Sequence, residues 1–322
     1  MRSVTDMQMG AGAVSEHQAE LPRRKLLRQM GGFAAAGLFA STGQWALAAN
    51  PPARRIVSVG GALTEIIYAL NANNDLVAVD TTSLFPEVAR KLPSVGYART
   101  LSAEGVLGLA PTQVIATEDA GPPAVLRQLT ASGVPVTILA ANHRFEGLLD
   151  RVKRIGELTG RETQAASMMQ NLQQEWTRAR APILQREAQA NSKPVRILFI
   201  LAHSPAQIMV AGRDTSAQAM IDYVGAKNAI SPVSGSGFTG YKAMTPEAVI
   251  AAQPDIILVT EQGVKATGGT EAFLKMPGVE QTPAGRGHRV IAVEAMLLLG
   301  FGPRLPQAVS LLDAAITKAM LT

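Results

Sequence analysis

The chain has 322 residues, of which 47% are hydrophobic, and it contains no cysteine. This length is enough to bury a large core, either in one long domain or in two lobes. The net charge of +5 is modest and no long basic run is present, so the sequence does not predict a nucleic-acid-binding protein.

The first 48 residues have the pattern of an export signal. A twin-arginine pair at Arg23 and Arg24 precedes a mild apolar run from Met30 to Ala40, and Ala46-Leu47-Ala48 supplies a small-x-small cleavage site. The apolar run is shorter than the ~20 residues that a membrane-spanning helix needs. We therefore predict a twin-arginine type signal over residues 1–48, cleaved near Ala48, although the general secretory route remains open.

The mature chain is then expected to be a periplasmic protein. The first 48 residues hold five basic and three acidic residues, which leaves 25 basic against 22 acidic residues and a net charge of +3. The absence of cysteine is compatible with an oxidising compartment, because a chain of this size needs no disulfides. No second long apolar run follows, and we expect a monomer.

Short strands and helices alternate in the first half of the mature chain. The predicted strands are Arg54 to Val59, Leu76 to Val79, Thr112 to Ala116 and Val134 to Leu139. The predicted helices are Leu63 to Leu70, Glu104 to Leu109, Pro123 to Ser132 and Phe145 to Thr159. Alternation of this kind predicts an α/β lobe with a parallel sheet over residues 49–160.

A long helical segment follows. Residues 161–190 contain few helix breakers besides Pro182, and the apolar residues of this segment recur at helical spacing. Because globular helices average roughly 11–12 residues, we interpret this segment as a helix that links two lobes. A second α/β series then begins at Val195, which predicts a C-terminal lobe over residues 191–322 and a final helix from Leu305 to Met320.

An internal repeat supports the prediction of two lobes. Ser102 and Thr245 are each followed by Glu two residues on, Val four on, Pro nine on and Thr fifteen on. Tyr97 and Tyr241 also match once one residue is gapped. Two similar lobes predict a cleft between them. The duplicated Glu104 and Glu247 each stand near the start of a helix, where a carboxylate favours the helix dipole, but two acidic lobe tips could also dock a two-fold symmetric partner.

The candidate ligand-binding chemistry centres on Tyr97 and Arg99. A phenolate is a hard anionic ligand suited to Fe(III), and Tyr is one of the axial ligands of haem iron. A neighbouring Arg would stabilise the phenolate by its charge and by hydrogen bonding. His203 follows the first predicted strand of the second lobe, where it is either structural or a second ligand at the cleft.

No recognisable catalytic motif is present. The sequence lacks a phosphate-binding glycine loop, a G-x-S-x-G elbow, a catalytic cysteine and an H-E-x-x-H helix. We therefore do not expect an enzyme, and an exported enzyme that uses His203 as a base is the less favoured alternative.

Four segments of the chain resemble the periplasmic haem-binding proteins of bacterial ABC haem importers, the HmuT/ShuT/PhuT type. The resemblance covers nearly all of the mature chain. The segments that carry it are residues 60–70 (GGALTEIIYAL), 80–83 (DTTS), 95–105 (VGYARTLSAEG) and 209–213 (MVAGR).

The resemblance implies a class III periplasmic binding protein fold, that is, two Rossmann-like α/β lobes with parallel sheets joined by one long helix. In this family the tyrosine that matches Tyr97 is the axial haem ligand and the arginine that matches Arg99 supports it. His203 resembles the ligand of a second, stacked haem found in some members, although Ser204-Pro205-Ala206 replaces their glycine-rich turn. Gly61 and Tyr241 complete the predicted haem-binding set, the first from a matching segment and the second from the repeat.

The resemblance also implies partners. The ligand would be haem, and Glu104 and Glu247 match by position the glutamates that pair with arginines of an inner-membrane ABC permease dimer. A ferric-siderophore or cobalamin receptor of the same fold is the main alternative.

Overall fold

A computed structural model describes residues 53–189, 193–204, 207–230 and 237–321, with side chains omitted at 202–204 and 207. The predicted export signal lies outside the described residues. The first sheet has four parallel strands in the order β2-β1-β3-β4, with β1 (Ile56–Val59), β2 (Leu76–Val79), β3 (Gln113–Ala116) and β4 (Val136–Ile138). The helices of this lobe are α1 (Gly61–Ala69), α2 (Ala103–Leu107), α3 (Pro123–Ala131) and α4 (Phe145–Thr159).

The central strand β1 shows why this sheet is parallel and covered on both faces. All four of its residues are buried. Ile56 belongs to a core cluster that includes α1 and α4, whereas Val57 and Val59 belong to a second cluster that includes α2 and α3. A strand without a polar face suits a parallel sheet between two helical layers.

The long helix α5 (Glu162–Glu187) connects the two lobes, within the predicted bounds of 161–190. It packs against α4 of the first lobe and against the final helix, α12 (Leu305–Leu321). Trp176 lies between the two lobes, because its ring stacks on Phe145 at 4.6 Å and meets Tyr223 edge-on at 4.6 Å. The helix is therefore part of the joint between the lobes as well as their covalent link.

The second sheet is mixed. Its strands are β5 (Arg196–Ser204), β6 (Gln207–Ala211), β7 (Lys227–Asn228), β8 (Tyr241–Ala243), β9 (Ile256–Thr260) and β10 (Val290–Val293). Strands β10, β9 and β5 run parallel, while β6 is antiparallel to both β5 and β8. The parallel core of β10, β9 and β5 matches the predicted α/β lobe, whereas the antiparallel strands β6 and β8 depart from the predicted parallel sheet.

Short helices connect these strands. They are α6 (Ser216–Tyr223), α7 (Pro246–Ala251), α8 (Glu261–Ala266), α9 (Thr270–Leu274), α10 (Pro283–Arg286) and α11 (Ala295–Leu299). No helix among the described residues is long and apolar enough to cross a membrane.

The repeat seen in the sequence has a structural counterpart. Arg55, just before β1, donates from Nη2 to the carbonyl of Leu109 at 2.6 Å, and Arg196, at the start of β5, donates from Nη2 to that of Ala252 at 2.9 Å. Both carbonyls lie seven residues after the Ser or Thr that caps the repeated helix. The two lobes thus use the same strand-to-helix contact at equivalent positions.

Candidate functional site

The candidate site lies where the strands of the first sheet end. In open parallel sheets, ligands bind at the carboxyl ends of the strands. The segment that carries Tyr97 is held at this edge, since Val95 N–H donates to Val79 O at 2.9 Å and Thr81 N–H donates to Gly96 O at 2.9 Å. Gly96 itself has φ of +86°, a left-handed conformation that favours glycine.

Tyr97 is presented to solvent by this turn. It directly precedes a short 3-10 turn over Ala98–Thr100, and 45% of its surface is exposed. Ala98, next to it, is buried in the core and its carbonyl accepts from Gly121 N–H at 2.8 Å. The backbone is therefore fixed while the phenol remains accessible. A side chain that binds a ligand arriving from solvent needs this combination of a fixed backbone and an exposed end.

Arg99 lies beside Tyr97 and is paired with a residue that the sequence analysis did not identify. Its Nε donates to Asp119 Oδ2 at 2.9 Å, and Thr117 Oγ1 donates to Asp119 Oδ1 at 2.6 Å. The hydrogen bond to Asp119 raises the pKa of Arg99, and burial acts in the opposite direction. Burial opposes ionisation of Asp119, but the bonds from Thr117 and Arg99 outweigh it and lower its pKa.

Tyr241 approaches the same place from the second lobe. It starts β8, its ring meets Phe199 edge-on at 6.3 Å, and it interacts electrostatically with Arg99. Burial raises the pKa of Tyr241, although a hydrogen bond with Ser216 and the charge of Arg99 oppose this. Tyr241 is thus a neutral phenol at neutral pH. Tyr241 of the second lobe therefore lies within the electrostatic range of Arg99 of the first lobe.

Gly61 has a structural role in the turn that follows β1. It is buried, its N–H donates to Thr82 Oγ1 at 2.9 Å, and a Cβ at this position would collide with the Thr82 carbonyl oxygen. Asp80 organises the same turn by accepting from Gly60 N–H at 2.9 Å and from Ser83 Oγ at 2.9 Å. A direct contact of Gly61 with a ligand stays a prediction.

His203 lies near the end of β5, the strand that pairs with β6 through Ala202 and Ile208. Its backbone is described, but its side chain is outside the described part of the chain. The prediction that it binds a second ligand therefore remains a prediction.

Glu104 and Glu247 occupy equivalent and exposed positions. Each lies in the first turn of a short helix, α2 or α7. The preceding caps are also equivalent, because Ser102 Oγ accepts from Gly105 N–H at 3.2 Å and Thr245 Oγ1 accepts from Ala248 N–H at 3.3 Å. Docking through these glutamates is a prediction that the geometry permits.

A buried ion pair joins the lobes next to the site. Arg304, just before α12, contacts Glu65 of α1 through Nη2–Oε1 at 2.5 Å and Nε–Oε2 at 2.9 Å. Glu294 accepts from the same guanidinium at 3.4 Å. Burial raises the pKa of Glu65, with Arg304 acting in the opposite direction. A bidentate pair fixes orientation as well as distance, so it contributes to the packing of the segment before α12 against α1.

A second polar contact crosses the lobes. Arg151 of α4 is buried and donates to Glu118 at 2.8 Å, to Leu139 O at 3.0 Å and to Gly300 O at 3.4 Å. Among the described residues, no three His, Cys, Asp or Glu side chains cluster in a way that could hold a bare metal ion.

Comparison with known proteins places this chain in a family. Residues 56–296 match the periplasmic binding protein family. A solved periplasmic heme-binding protein, BhuT in complex with two hemes, is 39% identical over 83% of this chain and 99% of its own, with a TM-score of 0.77. The apo form of RhuT from Roseiflexus sp. RS-1 is 38% identical with the same coverage and a TM-score of 0.76.

Curated relatives are more distant. An uncharacterized ABC transporter substrate-binding lipoprotein, YvrC of Bacillus subtilis, is 30% identical over 82% of this chain and 80% of the relative. A vitamin B12-binding protein of Vibrio campbellii is 26% identical over 68% of this chain and 75% of the relative.

The fold and the family match define a binding protein built on two α/β lobes joined by one long helix. The chain belongs to the periplasmic binding protein family. The resemblance and the class III fold expected from the sequence are thus confirmed.

Proposed function

We propose that this protein binds haem between its lobes and delivers it to an inner-membrane ABC importer. The observation that carries the proposal is the exposed Tyr97 phenol at the carboxyl edge of the first sheet, beside the Arg99–Asp119 pair. The heme-binding proteins named above, at 38–39% identity, support the same ligand.

Tyr97 would be the axial ligand of ferric haem. Its phenolate oxygen binds the hard Fe(III) centre and neutralises part of its charge. Arg99 would stabilise this phenolate by its positive charge, and Asp119 fixes the guanidinium in place through the 2.9 Å bond. Tyr241, protonated and facing Arg99 from the second lobe, would donate a hydrogen bond to the ligand.

Delivery would depend on the lobe tips. Glu104 and Glu247 are exposed at equivalent positions, so each could meet one subunit of a permease dimer that carries basic residues. Export would remove residues 1–48, and the mature protein would consist of lobes at 49–160 and 191–322 joined by the helical segment 161–190. No catalytic role is proposed, since the family and its solved relatives are binding proteins.

An absorption titration tests the proposal. Haemin added to the purified mature protein should produce a saturable Soret change and a high-spin spectrum with a phenolate-to-iron charge-transfer band. No saturable spectral change would contradict the proposal.

Cobalamin is the second candidate, because the relatives include vitamin B12-binding proteins. Calorimetric titration with cyanocobalamin separates the two ligands. We expect no heat of binding with cyanocobalamin and no displacement of bound haemin by it.

A further inference from the structure

Three large apolar side chains are exposed on one short loop next to Tyr97. Leu84, Phe85 and Val88 have 42%, 46% and 49% of their surface exposed. Their loop follows β2 and runs beside the Tyr97 turn, to which it is joined by the bond between Thr81 N–H and Gly96 O. The three residues lie within five positions of one another in the sequence, and a contiguous exposed apolar patch marks an interaction site.

The start of this loop is held by hydrogen bonds to Asp80. Asp80 accepts from Thr82 N–H at 3.1 Å and from Thr82 Oγ1 at 2.7 Å, and its other oxygen accepts from Ser83 Oγ at 2.9 Å. Asp80 and Ser83 are both buried. These bonds fix the start of the loop at Thr82 and Ser83, and preorganisation of this kind lowers the entropy that a ligand must overcome on binding.

The second lobe supports the aromatic member of this cluster. The Arg304 guanidinium lies over the Phe85 ring, 4.1 Å from its centroid, while its nitrogens bind Glu65. A cation on a ring face is an attractive and orienting contact. One face of Phe85 is thus covered by Arg304, and 46% of the residue stays exposed.

We infer that Leu84, Phe85 and Val88 form an apolar platform for the flat macrocycle of a tetrapyrrole whose metal is bound by Tyr97. The inference rests on the proposed function and adds a contact that is independent of the metal. A macrocycle extends on all sides of its metal, so an apolar surface adjoining the ligand turn can cover part of its face. Burial of that face supplies affinity in proportion to the area removed from water.

The test compares two ligands and three main proteins, with two control variants described below. The ligands are haemin and metal-free protoporphyrin IX, which has the same macrocycle but cannot bind a phenolate through iron. The proteins are the wild type, the double variant Leu84→Ser/Phe85→Ser, and Tyr97→Phe. The double variant should bind both ligands about 10- to 100-fold more weakly, the range expected when two apolar side chains lose their burial. Its haemin complex should keep the charge-transfer band.

Tyr97→Phe should show the opposite pattern. It should bind metal-free protoporphyrin like the wild type, yet lose the charge-transfer band with haemin. Leu311→Ser is the matched control, because Leu311 is 50% exposed on α12, and it should leave both affinities unchanged. Phe85→Tyr keeps the ring and should retain affinity, which separates the platform from a folding defect.

The outcomes separate this inference from the proposed function. If the wild type binds haemin but the double variant binds both ligands with wild-type affinity, the platform is wrong and the haem assignment stands. If the wild type binds neither ligand, both the assignment and the platform are overturned.

Discussion

The Arg99–Asp119 pair shows how single residues prepare the site before a ligand arrives. Arg99 carries the charge, Asp119 orients it, and Thr117 orients Asp119. Because the pKa of Asp119 is lowered in the folded protein, its carboxylate contributes stability at neutral pH. That contribution is lost as the pH falls through the folded-state pKa.

We therefore predict a pH-dependent effect of Asp119→Asn. At pH 7 the variant should be less stable than the wild type by about 0.5–1 kcal/mol, a small value because both partners are partly exposed. The difference should shrink as the pH falls below about 4, the range in which Asp protonates in unfolded chains. Urea denaturation at pH 7, 5 and 3 measures it, with Asp150→Asn on α4 as the control. An equal difference at pH 3 and pH 7 would show that the charge is not involved.

His203 gives a prediction about stoichiometry. If it binds a second haem, titration of the wild type with haemin should end at two equivalents and that of His203→Ala at one. The first haem should keep its Tyr97 charge-transfer band in both proteins, since Tyr97 belongs to the first lobe. The same endpoint of one equivalent in both proteins would remove His203 from the site.

At the scale of secondary-structure elements, the Glu65–Arg304 pair connects α1 of the first lobe to the segment before α12. Removing one partner of a buried ion pair leaves the other charge uncompensated, which typically costs about 3–5 kcal/mol. Glu65 is 5% exposed, but Arg304 is 20% exposed and keeps Glu294 as a partner. The loss of stability on removal of Glu65 should thus lie near the lower limit of this range, about 3 kcal/mol.

We predict that Glu65→Ala lowers the free energy of unfolding by about 3 kcal/mol, measured by urea denaturation at pH 7. Glu157→Ala is the matched control. Glu157 forms an exposed pair with Arg154 on α4, and its loss should cost less than about 0.5 kcal/mol. Equal effects of the two substitutions would mean that the inter-lobe pair does not stabilise the fold.

The elements differ in how well the sequence predicts them. Helices α4, α5 and α12 are long enough for their apolar period to be recognised, and their observed bounds agree with the predicted ones. The antiparallel strands β6 and β8 and the short helices α8 to α11 were not predicted. Segments of three to six residues have too few positions to show a period.

The candidate site shows the same division. Tyr97 and Arg99 stand two residues apart in a recognisable segment, so the sequence alone is enough to propose them as site residues. Asp119 lies 20 residues from Arg99, and Glu65 lies 239 residues from Arg304. Pairs of residues this far apart in the sequence come together only in the folded chain. No local sequence pattern therefore predicts them.

At the scale of the whole molecule, the repeat predicts how the protein meets its importer. Charged residues at the edge of an interface chiefly set the orientation of the two partners and the rate at which they associate. Added salt screens these charges. Replacing Glu104 and Glu247 together by Arg should abolish haem delivery in vesicles that contain the permease. Haemin binding in solution should stay intact.

Two checks accompany this docking prediction. Complex formation by the wild type should weaken as salt is added. The control pair Glu146→Arg/Glu162→Arg reverses two exposed carboxylates on α4 and α5 and should leave delivery unchanged. Undiminished delivery by the Glu104/Glu247 variant would show that docking uses another surface.

The central claim is that one exposed phenol binds the iron of haem. Tyr97→Phe removes a single oxygen and keeps the ring, so it isolates ligation from packing. Haemin titration followed by absorption should show a saturable complex with a phenolate charge-transfer band for the wild type. For Tyr97→Phe, the band should be absent and the affinity lower by at least about 100-fold, which corresponds to roughly 2.7 kcal/mol. A variant with the wild-type band and affinity would contradict the claim.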